Sequence, residues 1–489
     1  MNEKRWSNWS GTQTCVPGTV HQPADSEEVG RIVGDAAASG STVRPLGAGH
    51  SFTPVAVTDG HRVQLDKMAG FVGADADAGT VTLRAGTRLR DVPGILRPRG
   101  LALANQGDVD PQSLAGAVST GTHGTGLGFT GFAGMVRGFR IVGADGEEVH
   151  AHEGAPGVAG ELFRLARLGM GAFGVVTELT MDGVPAFRLA ADEHPEDFDE
   201  VRRTFPERVA AVDHMEFYWF PGTDVALVKE NTRLPGIEDM ESAHDPGLLG
   251  RAGDFIADEV INNAGLLAMC EAAKAVPKLT RKLNAFAAKT VSTRRYVDEA
   301  HKVFVSPRRV RFSEMEYAVP LETLPEVLDE VRRTIDRHRA WVSFPLEIRA
   351  AKGDDVALST AYGRDSAYIA VHRYHRESYR DYYGLLEPIF LAAGGRPHWG
   401  KLHTLGAEQL RERYPLFDEA ANLRRRVDPD GVFLNDHLRQ LFGELRSRSV
   451  PSARRAPSAP TDRRAPPAPP NPRTEPVPPA GRGGCGGGG

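Results

Sequence analysis

The spacing of hydrophobic positions changes several times along this chain, and each change marks an element. Asp25-Ser26-Glu27-Glu28 has the spacing of a capping box. Behind it Val29, Ile32 and Val33 recur on one helical face, and the pattern stops near Gly40. Thr42 to Leu46, Arg62 to Asp66 and Thr80 to Ala85 read as strands. Arg140 to Val149 reads as a hairpin turning at Asp145-Gly146. Ala172 to Met181 is apolar and β-rich, hence another strand. Near Pro185 the texture changes. A hairpin is predicted from Glu216 to Phe220 and Val225 to Glu230, turning at Pro221-Gly222. A less regular, Lys/Arg-containing helical stretch follows over roughly 250–300. Then come a strand at Phe312 to Val319, a long helix from Leu321 to Arg339, and strands at Phe344 to Arg349 and Tyr368 to Tyr374. The sequence shows no internal repeat, and the second region has the order of an α+β domain.

A chain of 489 residues exceeds one ordinary core, so two domains are expected. From Glu444 to Gly489 the chain is Pro, Ala and Arg with few large apolar residues, ending GRGGCGGGG. Such a segment cannot bury enough surface to offset its ordering entropy, and an inert disordered tail is expected rather than a partner-binding arm. A formal net charge of −5 gives no global pull toward nucleic acid. Cys15, Cys270 and Cys485 form no CxxC pair and no disulfide framework, which fits a reducing compartment. The N-terminus lacks the apolar run of a signal peptide, and nowhere do about 18 apolar residues follow one another. The expected location is the cytoplasm, with peripheral membrane attachment left open.

Three glycine-rich segments carry the first chemical signal. Arg44-Pro-Leu-Gly-Ala-Gly-His-Ser-Phe52 follows a strand, and Gly47 and Gly49 suit a turn where backbone approaches a ligand. It is not a Rossmann fingerprint, because Phe52 stands where the third glycine belongs and Thr53-Pro54 opposes a helix. Taken alone, an ordinary turn explains it equally well. Gly116-Ala-Val-Ser-Thr-Gly-Thr-His-Gly-Thr-Gly126 offers small residues whose N–H groups can converge on an anion, but no Walker lysine. Gly169 to Thr177 leads into an apolar strand, more in the manner of a close backbone crossing than of a site. Three such turns in one region suit one extended ligand, and a dinucleotide fits that description.

The second region adds polar groups. On the strand Phe344 to Arg349, Glu347 and Arg349 share a face about 7 Å apart. The carboxylate can hold the guanidinium and leave its other donors for a ligand; a solvent-facing ion pair is the plainer alternative. His372 and Tyr374 share a strand face, and Lys401 lies among Trp399, His398 and His403. A metal site using His372, His375, His398 and His403 is disfavoured, because no HExxH or carboxylate–histidine spacing accompanies them.

These pieces, in this order, resemble the vanillyl-alcohol-oxidase-type flavoproteins. Within them the chain is similar to the aldonolactone oxidase branch, which includes D-arabinono-1,4-lactone oxidase, L-gulonolactone oxidase and dehydrogenase, and alditol oxidase. The signatures are WSNWSGTQTC, RPLGAGHSF, STGTHGTG, EMEY at Glu314 to Tyr317, PLEIR, HWGK, and DPDGVFLND at Asp428 to Asp436, from about Trp9 to Phe442. The resemblance implies an α+β fold: a two-subdomain FAD-binding domain of the PCMH type over 1–185, a cap over 186–400, and a segment 401–443 that returns to the FAD domain, with the tail at 444–489. It implies FAD, covalently held by His50. It implies cofactor contacts at Ala48, Gly49, His50, Ser51, Phe52, Ser113, Val118, Gly121, Thr122, His123, Gly124 and Val176. It places Glu347, Arg349, Lys401, Ser113 and His372 at the substrate. The implied reaction is oxidation of a small aldonolactone, or alternatively an alditol or other polyol, by hydride transfer to the flavin. Oxygen or another acceptor then takes the electrons. No metal and no nucleic-acid partner are expected.

Overall fold

The structure is a computed structural model that describes residues 5–236, 263–290, 293–306 and 308–444. At its N-terminus β1 (Trp6–Ser7) and β2 (Thr14–Cys15) pair as a short antiparallel ribbon. Next, β3 (Thr19–His21), β4 (Val43–Leu46) and β5 (His61–Gln64) form a parallel sheet in the order β3-β5-β4. Parallel strands need a crossover, and the helix Ser26–Ala38 lies between β3 and β4. Its start is fixed reciprocally. Asp25 accepts from the Glu28 N–H at 2.8 Å, and the Glu28 carboxylate accepts from the Ala24 N–H at 2.7 Å. Its buried Val29, Val33 and Ala36 pack with Val43, Val63, Val142, Val175 and Phe433; burying each valine contributes about 1.5–3 kcal/mol.

A six-stranded antiparallel sheet follows: β6 (Phe71–Asp75), β7 (Thr80–Arg84), β8 (Leu101–Leu103), β9 (Val136–Val142), β10 (Glu148–His152) and β11 (Val175–Pro185). Its order is β10-β9-β11-β7-β6, with β8 on the far end of β11. The β9–β10 hairpin turns at Asp145-Gly146 as the sequence predicts, with Gly146 at φ +81°.

Eight further strands make the largest sheet: β12 (Phe187–Asp197), β13 (His214–Trp219), β14 (Val225–Pro235), β15 (Arg294–Glu299), β16 (Phe312–Pro320), β17 (Leu346–Ala351), β18 (Ser366–Tyr374) and β19 (Arg396–Pro397). They run in the order β15-β12-β14-β13-β17-β18-β16-β19. One face carries Phe217, Ile348, Ile369 and Tyr317 in cross-strand register into the main core. The helices Phe198–Ala211, Leu324–His338 and Arg380–Ala392 cover this side of the sheet. The other face is polar.

The segment after β19 comes back to the N-terminal sheet. The Val43 N–H donates to the Val432 carbonyl at 2.8 Å, and Asn435 donates to the Pro54 and Val57 carbonyls, both at 2.8 Å. Arg44 is fully buried and donates to the carbonyls of Val55, Met170, Gly171 and Phe433. Burial lowers its pKa to about 9, so it remains a cation at neutral pH.

Several local expectations are corrected. The strand expected from Phe344 begins at Leu346; Pro345 has no N–H for a ladder, and Phe344 packs instead with Phe52, Phe312 and Tyr374. The helix expected from Leu321 opens as a 3-10 turn, Leu321–Thr323. The helical stretch near 250–300 contains the helices Gly265–Ala275 and Thr280–Thr290, but its end is β15, held as a strand by pairing with β12. The second glycine segment, read as a turn, is helical over Leu114–Thr120, with Ser113 as its cap and Gly121 closing it at φ +87°. Residues 237–262 and 445–489, the latter holding nearly the whole expected tail and Cys485, lie outside the described residues. Among the described residues no helix is long and apolar enough to cross a membrane.

Four imidazoles, His214 and His398 buried and His403 and His437 half-buried, bear on stability. Burial depresses His214 and His403 to about 4, and His398 and His437 to about 3. His214 shows how the neutral ring is held: Nδ1–H donates to the Thr125 carbonyl at 2.8 Å, and Nε2 accepts from Arg233 at 3.1 Å. In the unfolded chain each ring titrates near 6.5. Below that pH the unfolded state gains protons that the folded state refuses, so this contribution is complete above about pH 6.5 and is lost as pH falls toward 4. The urea midpoint is therefore expected to fall steadily from pH 7 to pH 5. A midpoint constant over that range contradicts neutral buried rings.

Candidate active site

Cross-strand partners in an antiparallel sheet point to the same side, and this builds the polar face of the large sheet from its register. Tyr218 on β13 pairs with Glu347 on β17, Glu347 with Ala370 on β18, and Ala370 with Glu316 on β16. One step along lie Arg349 opposite Tyr368, and His372 opposite Glu314. All of these but Tyr218, which stands behind Glu347, wall a cavity of about 870 Å³.

The opposite wall comes from the N-terminal loops. The Trp9 N–H donates to the Gly49 carbonyl at 2.8 Å, and Asn8 donates to the Ser51 carbonyl at 3.0 Å. The Phe52 N–H donates to the Gly400 carbonyl at 2.7 Å, and the Thr53 hydroxyl to Trp399 O at 3.1 Å. The loop 49–53 is thereby fastened to both WSNWS and HWGK. Gly49, at φ +72°, makes the bend; a Cβ there would also lie 3.0 Å from the Trp6 ring. His50 stacks on Trp9 with ring centroids 5.5 Å apart. Burial, then Lys401 and Arg88, lower its pKa to about 4, so its imidazole is neutral.

A second cavity of about 930 Å³ lies behind this loop. Gly47, Ala48, Gly49, Ser113, Gly116, Gly171, Gly174 and Val176 contribute to its lining, and His50, Ser51, Gln112 and Thr120 line both cavities. The glycines matter by size: a Cβ on Gly47 would fall 2.4 Å from Ser113 Oγ.

The first cavity is densely charged. Arg349 pairs with Glu347 and donates through Nε to Glu216 at 2.8 Å; its Nη2 lies 3.5 Å from Asp108. Arg308 donates through Nε to Asp108 at 3.0 Å and reaches Glu347 at 3.4 Å. Burial pushes the Asp108 carboxyl up, but Arg308 and Arg349 overcome it and hold it well below the usual range. Burial alone would lower both guanidinium pKa values; the carboxylates, Asp108 first for Arg308 and Glu347 first for Arg349, raise them instead.

Lys401 pairs with Glu314 and lies 3.8 Å from Glu316. Burial works against its charge, and Glu314 and Glu316 raise its pKa above the ordinary value. His123 Nε2 meets Glu316 at 2.5 Å, and its ring stacks on Tyr368 with centroids 3.6 Å apart. His372 Nδ1 donates to the Pro345 carbonyl at 3.0 Å, which leaves Nε2 toward Glu314 at 3.7 Å.

The residues expected from sequence divide between these spaces. Glu347, Arg349, Lys401 and His372 line the first cavity with His50, Ser51, Phe52, Thr122 and His123. Ser113, grouped with them on sequence grounds, lines only the second, with Ala48, Gly49 and Val176. Its oxygen accepts from the Gly116 N–H at 3.2 Å as a helix cap. Val118, Gly121 and Gly124 line neither: Val118 is in the core, Gly121 closes a helix, and Gly124 abuts Asn105. Sequence reasoning missed Asp108, Arg308, Glu316 and Tyr218. Only the alternation Glu314-x-Glu316 on a strand offered a signal. Among the described residues no three His, Cys, Asp or Glu side chains are gathered as for a metal.

Comparison with known proteins shows the family of the chain. Residues 17–152 match the FAD binding domain family, and residues 179–441 match the D-arabinono-1,4-lactone oxidase family. The chain is 39% identical over 438 residues to L-gulono-1,4-lactone dehydrogenase of Mycobacterium tuberculosis, covering 90% of this chain and 99% of that protein. It is 31% identical over 442 residues to an alditol oxidase of Streptomyces, covering 89% and 98%. Among solved structures, cholesterol oxidase from B. sterolicum has the same fold, with a TM-score of 0.73 at 17% identity, covering 90% of this chain and 96% of that one. With its FAD binding domain and these relatives, the chain is an FAD-dependent oxidoreductase. The chain belongs to the D-arabinono-1,4-lactone oxidase family.

Proposed function

We propose that this enzyme oxidises an aldono-1,4-lactone at a CH–OH group, with one FAD extending through both cavities past His50. The observation that carries this reading is that His50 lines both spaces, one lined by glycine and small residues and the other by fixed charges. Ala48, Gly49, Ser51, Ser113 and Val176 would hold the dinucleotide side, and Phe52, Thr122 and His123 the ring side. The same reading divides the chain into an FAD domain over 1–185, completed by 401–443, and a cap over 186–400. Bound FAD supplies a hydride acceptor for the C–H beside the reacting hydroxyl.

The protein's own part is binding and electrostatics. Arg349 and Lys401, each fixed by carboxylates, present donors to the substrate oxygens and stabilise negative charge that grows there during reaction. Glu347 keeps Arg349 oriented, and the carboxylates accept hydrogen bonds from substrate hydroxyls. Substrate carboxylates are disfavoured, because Asp108, Glu314, Glu316 and Glu347 outnumber Arg308, Arg349 and Lys401 around the cavity.

Mixing the purified enzyme anaerobically with aldonolactones and, separately, with xylitol and sorbitol tests the reading. A lactone is expected to bleach the flavin band at least about tenfold faster than either polyol, the discrimination that misplaced hydroxyls in a polar site produce. Faster bleaching by the polyols would assign the enzyme to alditol oxidation. Admitting air afterwards shows whether oxygen returns the colour or another acceptor is required.

The neutral His50 ring keeps a nitrogen lone pair for a covalent bond to the flavin. His50→Ala is expected to fold and bind FAD that acid precipitation then releases, whereas the parent pellet stays yellow. Flavin still bound to the acid-precipitated variant would place the attachment elsewhere.

A further inference from the structure

Behind the charged face lies a narrower polar opening, lined in part by Asp108, Glu193, Glu216, Lys229, Asn231 and Arg349. It encloses about 340 Å³, and its polar lining suits water. Glu347 lines the large cavity and Glu216 lines this one. Tyr218 stands between them in the wall, its hydroxyl 2.9 Å from Glu216 Oε1 and 3.1 Å from Glu347 Oε1. A phenol has a single proton to donate, so these two carboxylates share one donor. That is the geometry of a proton hop.

The charge count points the same way. Asp108, Glu216 and Glu347 surround two guanidinium groups, Arg308 and Arg349. One negative charge is left over in a buried cluster, and taking up a proton relieves it. Beyond Glu216 lie partly exposed side chains. Lys229 is the cross-strand partner of both Glu216 and Glu193. Its Nζ lies 3.5 Å from Glu193, and these two side chains are 18% and 16% exposed.

We propose that Tyr218 and Glu216 relay the substrate's hydroxyl proton from Glu347 to water in this void. The relay rests on the functional reading above, in which a CH–OH donor reacts in the large cavity. The O–H bond breaks first and its proton joins Glu347 Oε1; once the relay has carried that proton off, the alkoxide carbon would give its hydrogen and electron pair to bound FAD. That proton passes to Tyr218 Oη while the proton of Tyr218 passes to Glu216 Oε1. Glu216 releases it to water, which restores all three groups and leaves a carbonyl product. Tyr218 is never a free anion: burial, then Glu216 and Glu347, hold its pKa well above the ordinary value. Charged groups facing Glu216 are Lys229 on β14, Glu347 and Arg349 on β17, Glu193 on β12 and Asp108 from its loop.

Tyr218→Phe and Glu216→Gln keep the packed ring and an acceptor for Arg349, and remove the mobile proton. Each is expected to slow anaerobic flavin reduction at least about tenfold, the lower range of general acid–base effects. FAD content and the half-saturating donor concentration stay within about twofold of the parent, because neither side chain lines the large cavity. Proton loss then limits the rate, so the slowing in D2O grows while the slowing from deuterium on the reacting carbon shrinks. The double variant is no slower than the slower single one, since both substitutions cut one route. Rates within about twofold of the parent, or slower rates with both isotope effects unchanged, overturn the relay and leave the functional reading standing. A parent bleached by no lactone or polyol overturns that reading and the relay with it.

Discussion

Replacing Arg349 by alanine is expected to lower the rate of flavin reduction by a factor of about 10² to 10³, the usual effect of removing a fixed donor from a site where charge develops. Arg349 is buried on β17 and is the common partner of Glu347, Glu216 and Asp108. Its loss removes a cation from the substrate cavity and at the same time frees three carboxylates that it held apart. FAD content should stay near that of the parent, because the glycine-lined cavity does not include Arg349. Arg349→Lys should not restore the rate: one ammonium cannot face three carboxylates as a planar fork does. Rapid mixing under anaerobic conditions measures this. A variant as fast as the parent would remove Arg349 from the mechanism.

The second large effect concerns stability. Arg44→Ala is expected to cost about 3–5 kcal/mol, comparable to breaking a buried charged pair. Four carbonyls, of Val55, Met170, Gly171 and Phe433, accept from this one guanidinium. They belong to three stretches that are distant in sequence, and among them is the C-terminal segment. Without the guanidinium each is left buried without that donor, at about 1–3 kcal/mol for a group that finds no substitute. Urea denaturation of the holoenzyme measures the loss; a midpoint near that of the parent contradicts the role of Arg44 as the fastening point of these segments.

Much of the local fold was legible in the sequence because its causes are local. The Asp25–Glu28 spacing caps a helix, Asp145-Gly146 turns a hairpin, and Glu347 and Arg349 meet because residues two apart on a strand share a face. What was not legible is set by pairing between distant strands. β18 inserts between β16 and β17, and that register brings Glu314 and Glu316 beside His372 and the HWGK turn. Glu216 lies 133 residues from the Arg349 it holds, and Asp108 lies 200 from Arg308; no spacing encodes such contacts. Lys401 stands among aromatic and imidazole neighbours in sequence, yet its charge is answered by Glu314 and Glu316. Ser113 carried a hydroxyl suited to chemistry, but the chain uses it to cap a helix in the other cavity.

Protease mapping of acid-precipitated enzyme tests most directly whether one flavin runs through both cavities past the imidazole that lines them both. The expected result is a single yellow peptide whose flavin is attached at His50. A colourless digest with all FAD in the supernatant, or a flavin on a peptide lacking His50, would contradict it.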